Sequence, residues 1–209
     1  MTKPSTPINW SYPEPRNALE KFIGPGATSA ELALQFIPTL IAAVGLPLFA
    51  IHQGWGWSII QLIIVGVLVL DMVGGVITNA TSTAKRWYHR EGQGFNAHMM
   101  FVYLHILQPT LVMVFFDRWN WQFVAGTFGY VVIAALLILA TPLYLQRPLA
   151  LLLTVGGILL GLYVLPVPLY FEWFVPLYFI KLLVSHLLRE EPYRPRELQH
   201  APAVQTVQS

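Results

Sequence analysis

Six apolar segments constrain the fold of this chain more than any other feature, because each is close to the length that a helix needs to cross a bilayer core. Exposed sheet edges are not viable in lipid, and the alternating pattern of a barrel strand is absent, so the segments are predicted to be helices. The sequence therefore predicts an all-α integral membrane protein with six transmembrane helices in one bundle. The predicted spans are Glu31–Ile51, Trp57–Ala80, Ala97–Phe116, Trp121–Thr141, Pro148–Leu165 and Leu169–Leu188.

The composition agrees with a membrane protein. Of 209 residues, 56% are hydrophobic and 11% are charged, and the mean hydropathy is +0.58, which would be unusual for a soluble domain. The chain has no cysteine, which excludes disulfides, thiolate metal sites and thiol catalysis. The motifs of zinc metalloproteases, P-loop proteins and serine hydrolases are also missing from the sequence. We expect the lipid bilayer, and not a nucleic acid, to be the main partner.

The distribution of Lys and Arg predicts the orientation. If the N-terminus is cytoplasmic, ten cations fall on the cytoplasmic side and only Arg118 falls in an outer loop. This asymmetry favours six spans with both termini in the cytoplasm, and we expect a bacterial plasma membrane. The ten cations are Lys3, Arg16, Lys21, Lys85, Arg86, Arg90, Arg147, Arg189, Arg194 and Arg196.

Three regions are predicted along the chain. Residues 1–27 form a cytoplasmic or interfacial N-terminal segment with no signal-peptide pattern. Residues 28–189 form the transmembrane domain, which begins at Thr28 and Glu31, a pair with the spacing of a capping box. Residues 190–209 form a polar, proline-containing tail that we expect to be disordered.

Asp71 is the first candidate functional residue, because a charged side chain in mid-span costs at least about 2.5–3.5 kcal/mol. It lies nine residues from Ala80, about 14 Å along a helix, which is too far for a short carboxylate to reach the surface. Asp71, Gly74, Gly75 and Asn79 share one face of this helix and predict close packing on protein. Asp71 therefore needs a partner inside the bundle.

Two histidines on the next predicted span offer such partners. His98 and His105 are seven residues apart and lie on one face of their helix. If the two spans are antiparallel neighbours, matching depth predicts the pairs Asp71–His105 and Asn79–His98. In this interpretation Asp71 and His105 are the catalytic acid–base pair.

A basic, aromatic connector and a buried lysine complete the candidate set. The connector suits anionic headgroups or a phosphate-bearing ligand, although the same cations also serve as the positive-inside signal. Lys181 has the depth either to extend towards the interface or to act as the counter-charge of Asp71. The residues expected to bind substrate are Asn79, Lys85, Arg86, His89, Arg90, His98 and Lys181.

Three functions remain open from the sequence. The first is a membrane enzyme or binding protein whose polar site opens to the cytoplasmic leaflet and takes an anionic lipid or apolar small molecule. Its metal content is undetermined, with His98, His105 and Asp71 as candidate ligands. The second is a small proton-coupled transporter that uses Asp71 and His105 as a relay. The third is a scaffold or assembly subunit whose polar stripe docks a partner helix. Its cofactor is left unknown, and His98 with His186 is the histidine pair whose depth would permit haem ligation.

Overall fold

A computed structural model describes residues 11–190, and every regular element in this range is a helix. Five stretches are long and apolar enough to cross a membrane, with α5 and α6 forming one of them, so a helical membrane protein is confirmed for these residues. The predicted tail, residues 190–209, lies outside the described range except for its first residue, Glu190. The helices are α1 (Ala18–Ile23), α2 (Ser29–His52), α3 (Ile59–Ala80), α4 (Ser82–Tyr88), α5 (Phe95–Leu104), α6 (Leu107–Phe116), α7 (Trp121–Ala140), α8 (Leu143–Tyr163) and α9 (Phe174–Phe179), which continues as a π-helical segment (Ile180–His186).

The first two long helices, α2 and α3, each begin with a capping box. Thr28 accepts a hydrogen bond from the Glu31 amide at 3.1 Å, and Glu31 accepts one from the Thr28 amide at 2.9 Å. Ser58 and Gln61 form the same arrangement at the start of α3. These side chains satisfy amides that have no intrahelical partner, which explains why the helices begin at these residues.

The last apolar helix is shorter than its predicted span. It runs from Phe174 to His186, whereas the sequence predicted Leu169–Leu188. Before it, Pro168 and the left-handed backbone of Tyr170, with a φ of 70°, interrupt the helical conformation. Thirteen residues give about 20 Å of helix, less than the thickness of a bilayer core.

This helix, which we call the central helix, forms the core of the bundle. It packs against α3, α7 and α8, and most of its side chains are buried. In its π-helical half, hydrogen bonds skip one residue more than in an α-helix. Protein surrounds it, so its length does not have to match the hydrocarbon thickness.

The stretch formed by α5 and α6 is kinked at His105. Pro109 has no amide hydrogen, so the His105 carbonyl, four residues earlier, loses its helical donor. The Tyr178 hydroxyl on the central helix donates to this carbonyl at 2.8 Å. The His105 ring in turn bonds to the Phe101 carbonyl through Nδ1 at 2.6 Å. Proline therefore produces the kink, and side chains satisfy the backbone groups that it frees.

Small residues on α3 allow close packing, as the sequence predicted. A Cβ on Gly74 would lie 3.1 Å from the Thr39 methyl group of α2. A Cβ on Gly75 would lie 2.8 Å from Cδ of Lys181 on the central helix. At Gly74 and Gly75, α3 thus contacts α2 on one side and the central helix on the other.

Both ends of the described chain lie at one end of the bundle, which we call the α4 end. Thr83 of α4 donates its hydroxyl to Glu31 at the start of α2, at 2.7 Å. After the central helix, Glu190 lies 3.6 Å from Arg147 at the start of α8. The opposite end carries a cluster of aromatic rings, formed by Trp55, Trp57, Phe116, Tyr170 and Phe171.

Candidate functional site

Asp71 forms an ion pair with Lys181. The Lys181 ammonium donates to Oδ1 of Asp71 at 2.7 Å, joining α3 to the central helix. The sequence left two alternatives for Lys181, extension towards the interface or pairing with Asp71. The structure shows the pairing. Gly75 makes the contact possible, because its missing side chain leaves the space that the lysine stem fills.

Gln108 on α6 completes the arrangement. Its Nε2 donates to Oδ2 of Asp71 at 3.0 Å, so three helices meet at one carboxylate. Its other side-chain atom, Oε1, is buried and has no hydrogen-bond partner in the described residues. Sequence reasoning missed Gln108, although it lies three residues after His105 on a predicted span and is polar in an apolar environment.

The two charges of the pair differ in exposure. The side chain of Lys181 is 3% exposed, whereas that of Asp71 is 35% exposed. Apolar side chains beside Asp71 and Gln108 also face outwards, namely Val67, Leu70 and Leu107. We call this surface, formed by Val67, Leu70, Asp71, Leu107 and Gln108, the Asp71 face.

His105 does not form the predicted hydrogen bond with Asp71. Its Nδ1 is directed to the Phe101 carbonyl, and since a carbonyl can only accept, Nδ1 carries the hydrogen. His105 still lies within electrostatic range of both Asp71 and Lys181. The predicted acid–base pair is therefore replaced by an ion pair with a histidine nearby.

The pair Asn79–His98 is not formed either. The side-chain nitrogen of Asn79 is buried without a hydrogen-bond partner among residues 11–190, and Nδ1 of His98 lies 3.2 Å from Nε2 of His186. The reason is the position of the central helix. It packs along α3 beside the residues that the prediction had paired with α5, whereas the α6 half of the predicted span still contacts α3. His98 is thereby kept away from Asn79.

Three imidazoles lie together near the α4 end. The rings of His89 and His98 are 4.6 Å apart, and those of His98 and His186 are 5.1 Å apart. The 3.2 Å between the facing nitrogens of His98 and His186 is too short for an iron with two bonds of about 2 Å. Within residues 11–190, no group of three or more His, Cys, Asp or Glu side chains has a metal-binding arrangement.

Lys85 caps the central helix. Its ammonium donates to the carbonyls of Ser185 and Leu188 at 2.6 and 2.7 Å, and the residue is 2% exposed. A cation at these positions satisfies terminal carbonyls and opposes the helix dipole. Burial lowers the pKa of Lys85 to about 8. The Lys85 ammonium, which was predicted to contact a ligand, thus donates to backbone carbonyls of the protein instead.

His89 and the aromatic residues of α4 have similar roles. His89 donates from Nε2 to the His186 carbonyl at 3.0 Å, and burial, followed by the charges of His98 and Lys85, lowers its pKa to about 3. Trp87 donates to the Lys21 carbonyl at 2.8 Å and thereby caps α1. Helix α4 and its C-cap His89 therefore supply hydrogen-bond donors to carbonyls at the carboxyl ends of α1 and the central helix.

The remaining connector cations differ in their surroundings. Arg86 is buried, and its Nη2 donates to the Thr83 hydroxyl at 3.4 Å. Arg90 is partly exposed, donates to the Trp87 carbonyl at 2.5 Å and lies with Cζ 3.6 Å above the Trp87 ring. Of the three connector cations, Lys85, Arg86 and Arg90, only Arg90 is exposed enough to contact a ligand from outside the protein.

Comparisons with known proteins give no indication of function, so a functional proposal has to rest on the geometry of the site. No protein-family model matches the chain, no curated protein matches it, and no solved structure matches it.

Proposed function

We propose that this chain is a six-span protein of a bacterial plasma membrane that binds an apolar molecule carrying a hydrogen-bond donor, such as a hydroxyl group, at the Asp71 face. Both termini are cytoplasmic in this proposal, in keeping with the charge asymmetry and with the location of both ends of the described range, residues 11–190, at the α4 end. The observation that carries the binding site is the 35% exposure of Asp71 in mid-span, beside a lysine that is 3% exposed.

The ion pair favours a neutral ligand over an ion. Lys181 cancels the charge of Asp71 at 2.7 Å, so the site as a whole has no net charge. An ion that entered would lose its hydration in the hydrocarbon without gaining a counter-charge, which is a large cost. A neutral molecule avoids this cost.

The free hydrogen-bonding capacity of the site favours a donor on the ligand. A carboxylate has about four acceptor positions, and the protein uses one on each oxygen of Asp71. Oε1 of Gln108 is buried, so the acceptors that a ligand can reach are those of the partly exposed Asp71 carboxylate. A hydroxyl group can donate to this carboxylate, whereas an ether or an alkane cannot.

The surrounding side chains favour an apolar body for the ligand. Val67 lies one turn from Asp71 on α3, and both Val67 and Leu70 are exposed. Leu107, next to Gln108, is also exposed. A ligand that enters from the bilayer would keep its apolar part against these side chains and its hydroxyl on the carboxylate.

Binding of 4-octylphenol to the purified, detergent-solubilised protein tests the proposal. Its methyl ether, 4-octylanisole, has a similar apolar body but no donor. We expect the phenol to raise the unfolding temperature saturably and the ether to have no such effect. Asp71→Asn should weaken phenol binding about tenfold, which corresponds to the loss of one hydrogen bond to a charged group. Gln108→Leu should also weaken it, because Gln108 holds the Asp71 carboxylate in position through Oδ2.

Gln61→Leu is a matched control, because Gln61 also joins α3 to α6, through the Phe115 carbonyl at 2.7 Å, but lies outside the Asp71 face. Phenol binding should survive this substitution. Equal binding of the phenol and its ether, or equal losses in the Gln61 and Gln108 variants, would refute the site. If Asp71→Asn does not fold, the Gln108 comparison alone decides.

A further inference from the structure

A cleft of about 750 Å³ lies at the α4 end, separate from the Asp71 face. The turn between α4 and α5, including Arg90 and Gly94, forms one wall. Arg189, which follows the central helix, and Tyr12 also line it. The cleft thus lies where three separate parts of the chain meet.

Arg90 is held in place at this cleft. The Trp87 carbonyl accepts one of its five N–H donors, and the guanidinium lies over the Trp87 ring. The Trp87 ring is fixed in turn by its bond to the Lys21 carbonyl and by an edge contact with Tyr12 at 5.4 Å. The arginine is therefore ordered before any ligand binds, which lowers the entropy that binding would cost.

The charges that line the cleft favour an anion. Among the described residues that line the cleft, two are arginines, Arg90 and Arg189, and one is a carboxylate, Glu91. His89 also lines the cleft but is neutral near pH 7, because burial lowers its pKa to about 3. Gln93 adds an amide that can donate a hydrogen bond.

The cleft lies at the depth of lipid headgroups. Arg90 comes five residues before Phe95, where the next membrane-spanning stretch begins, and Arg189 comes three residues after His186, where the central helix ends. Arginine binds phosphate oxygens with two parallel hydrogen bonds, a geometry that lysine cannot provide.

We propose that this cleft binds a phosphate-bearing anion, with Arg90 and Arg189 as the residues that contact the phosphate. The phosphate can belong to the headgroup of an anionic phospholipid or to a small soluble phosphate. The site does not depend on the Asp71 face, and each can fail without the other.

Binding to the detergent-solubilised protein tests this site. The probes are dioctanoyl phosphatidic acid, glycerol 3-phosphate and, as a lipid without phosphate, dioctanoylglycerol. We expect both Arg90→Gln and Arg189→Gln to weaken binding of the phosphate-bearing probe at least tenfold. Arg147→Gln is the control, because Arg147 is at the same end of the bundle but is absent from the lining of the cleft.

The probes distinguish the two sources of phosphate. Binding of phosphatidic acid without glycerol 3-phosphate assigns a lipid headgroup, and comparable binding of both assigns a soluble phosphate. The site is refuted if neither probe binds, if dioctanoylglycerol binds as tightly as phosphatidic acid, or if the Arg147 variant loses as much affinity as the Arg90 variant.

Glu91→Gln supplies a test that does not remove an arginine. Glu91 lies on the exposed turn and lines the cleft, so its substitution should leave folding intact and remove a repulsion. Phosphate binding should become severalfold tighter. Unchanged affinity in this variant would contradict the proposal even if the arginine variants failed to fold.

Discussion

Lys181 and Lys85 are equally buried, each with 2% of its surface exposed, but the protein neutralises them differently. Lys181 faces a carboxylate in mid-span, and that carboxylate is one-third exposed. Lys85 faces two backbone carbonyls at the end of the central helix, and its contacts lie entirely within the protein. The first arrangement leaves acceptors for a ligand, whereas the second uses its polar groups to complete the fold.

The comparison shows that burial of a charge does not by itself identify a site. Both lysines would be candidates by the cost of placing an ammonium in an apolar environment. What distinguishes them is the partner, because a carboxylate retains free acceptor positions and a capped helix end does not.

The largest effect should come from breaking the ion pair on one side. Asp71→Leu leaves the Lys181 ammonium buried without a counter-charge, and we expect a loss of about 3–5 kcal/mol in the free energy of unfolding. The double variant Asp71→Leu/Lys181→Met removes both charges and should recover most of this loss. Denaturant unfolding in detergent, monitored by tryptophan fluorescence, measures both. A double variant as unstable as Asp71→Leu would mean that the charges are not coupled.

Removal of the lysine cap should have the next largest effect. Lys85→Met deprives the carbonyls of Ser185 and Leu188 of their donor, which should cost about 3 kcal/mol at neutral pH. Lys21→Met is the matched control, because Lys21 is exposed, and it should change stability by less than about 0.5 kcal/mol. Comparable stability of the two variants would show that water replaces the cap without cost.

The smallest effect should be the pH dependence that His89 gives to the free energy of unfolding. The pKa of His89 is about 3 in the folded protein and about 6.5 when unfolded, so between these values the unfolded chain binds more protons and stability falls as the pH falls. At pH 5 this amounts to about 2 kcal/mol. His89→Gln keeps a donor for the His186 carbonyl but does not titrate. Unfolding free energies at pH 7 and pH 5 should therefore differ less in this variant than in the wild type, and parallel losses would show that His89 is not the titrating group.

Much of the fold followed from local features of the sequence. Hydrocarbon length and apolarity gave the five long stretches, and the spacing of Thr28 and Glu31 gave the start of α2. The mid-span charge of Asp71 marked a site because no short carboxylate can reach water from that depth. The enzyme, transporter and scaffold hypotheses differ in chemistry that these features do not encode, and they stay predictions.

The partners of the polar residues were decided by tertiary structure. Helical periodicity shows which residues share a face, but it does not show which helix lies opposite. The short central helix lies against α3, so Asp71 meets Lys181 instead of His105, and His98 meets His186 instead of Asn79. Likewise, the apolar pattern of the last segment indicated a span but not its burial on all sides, because lipid-facing and protein-facing positions in a membrane are equally apolar.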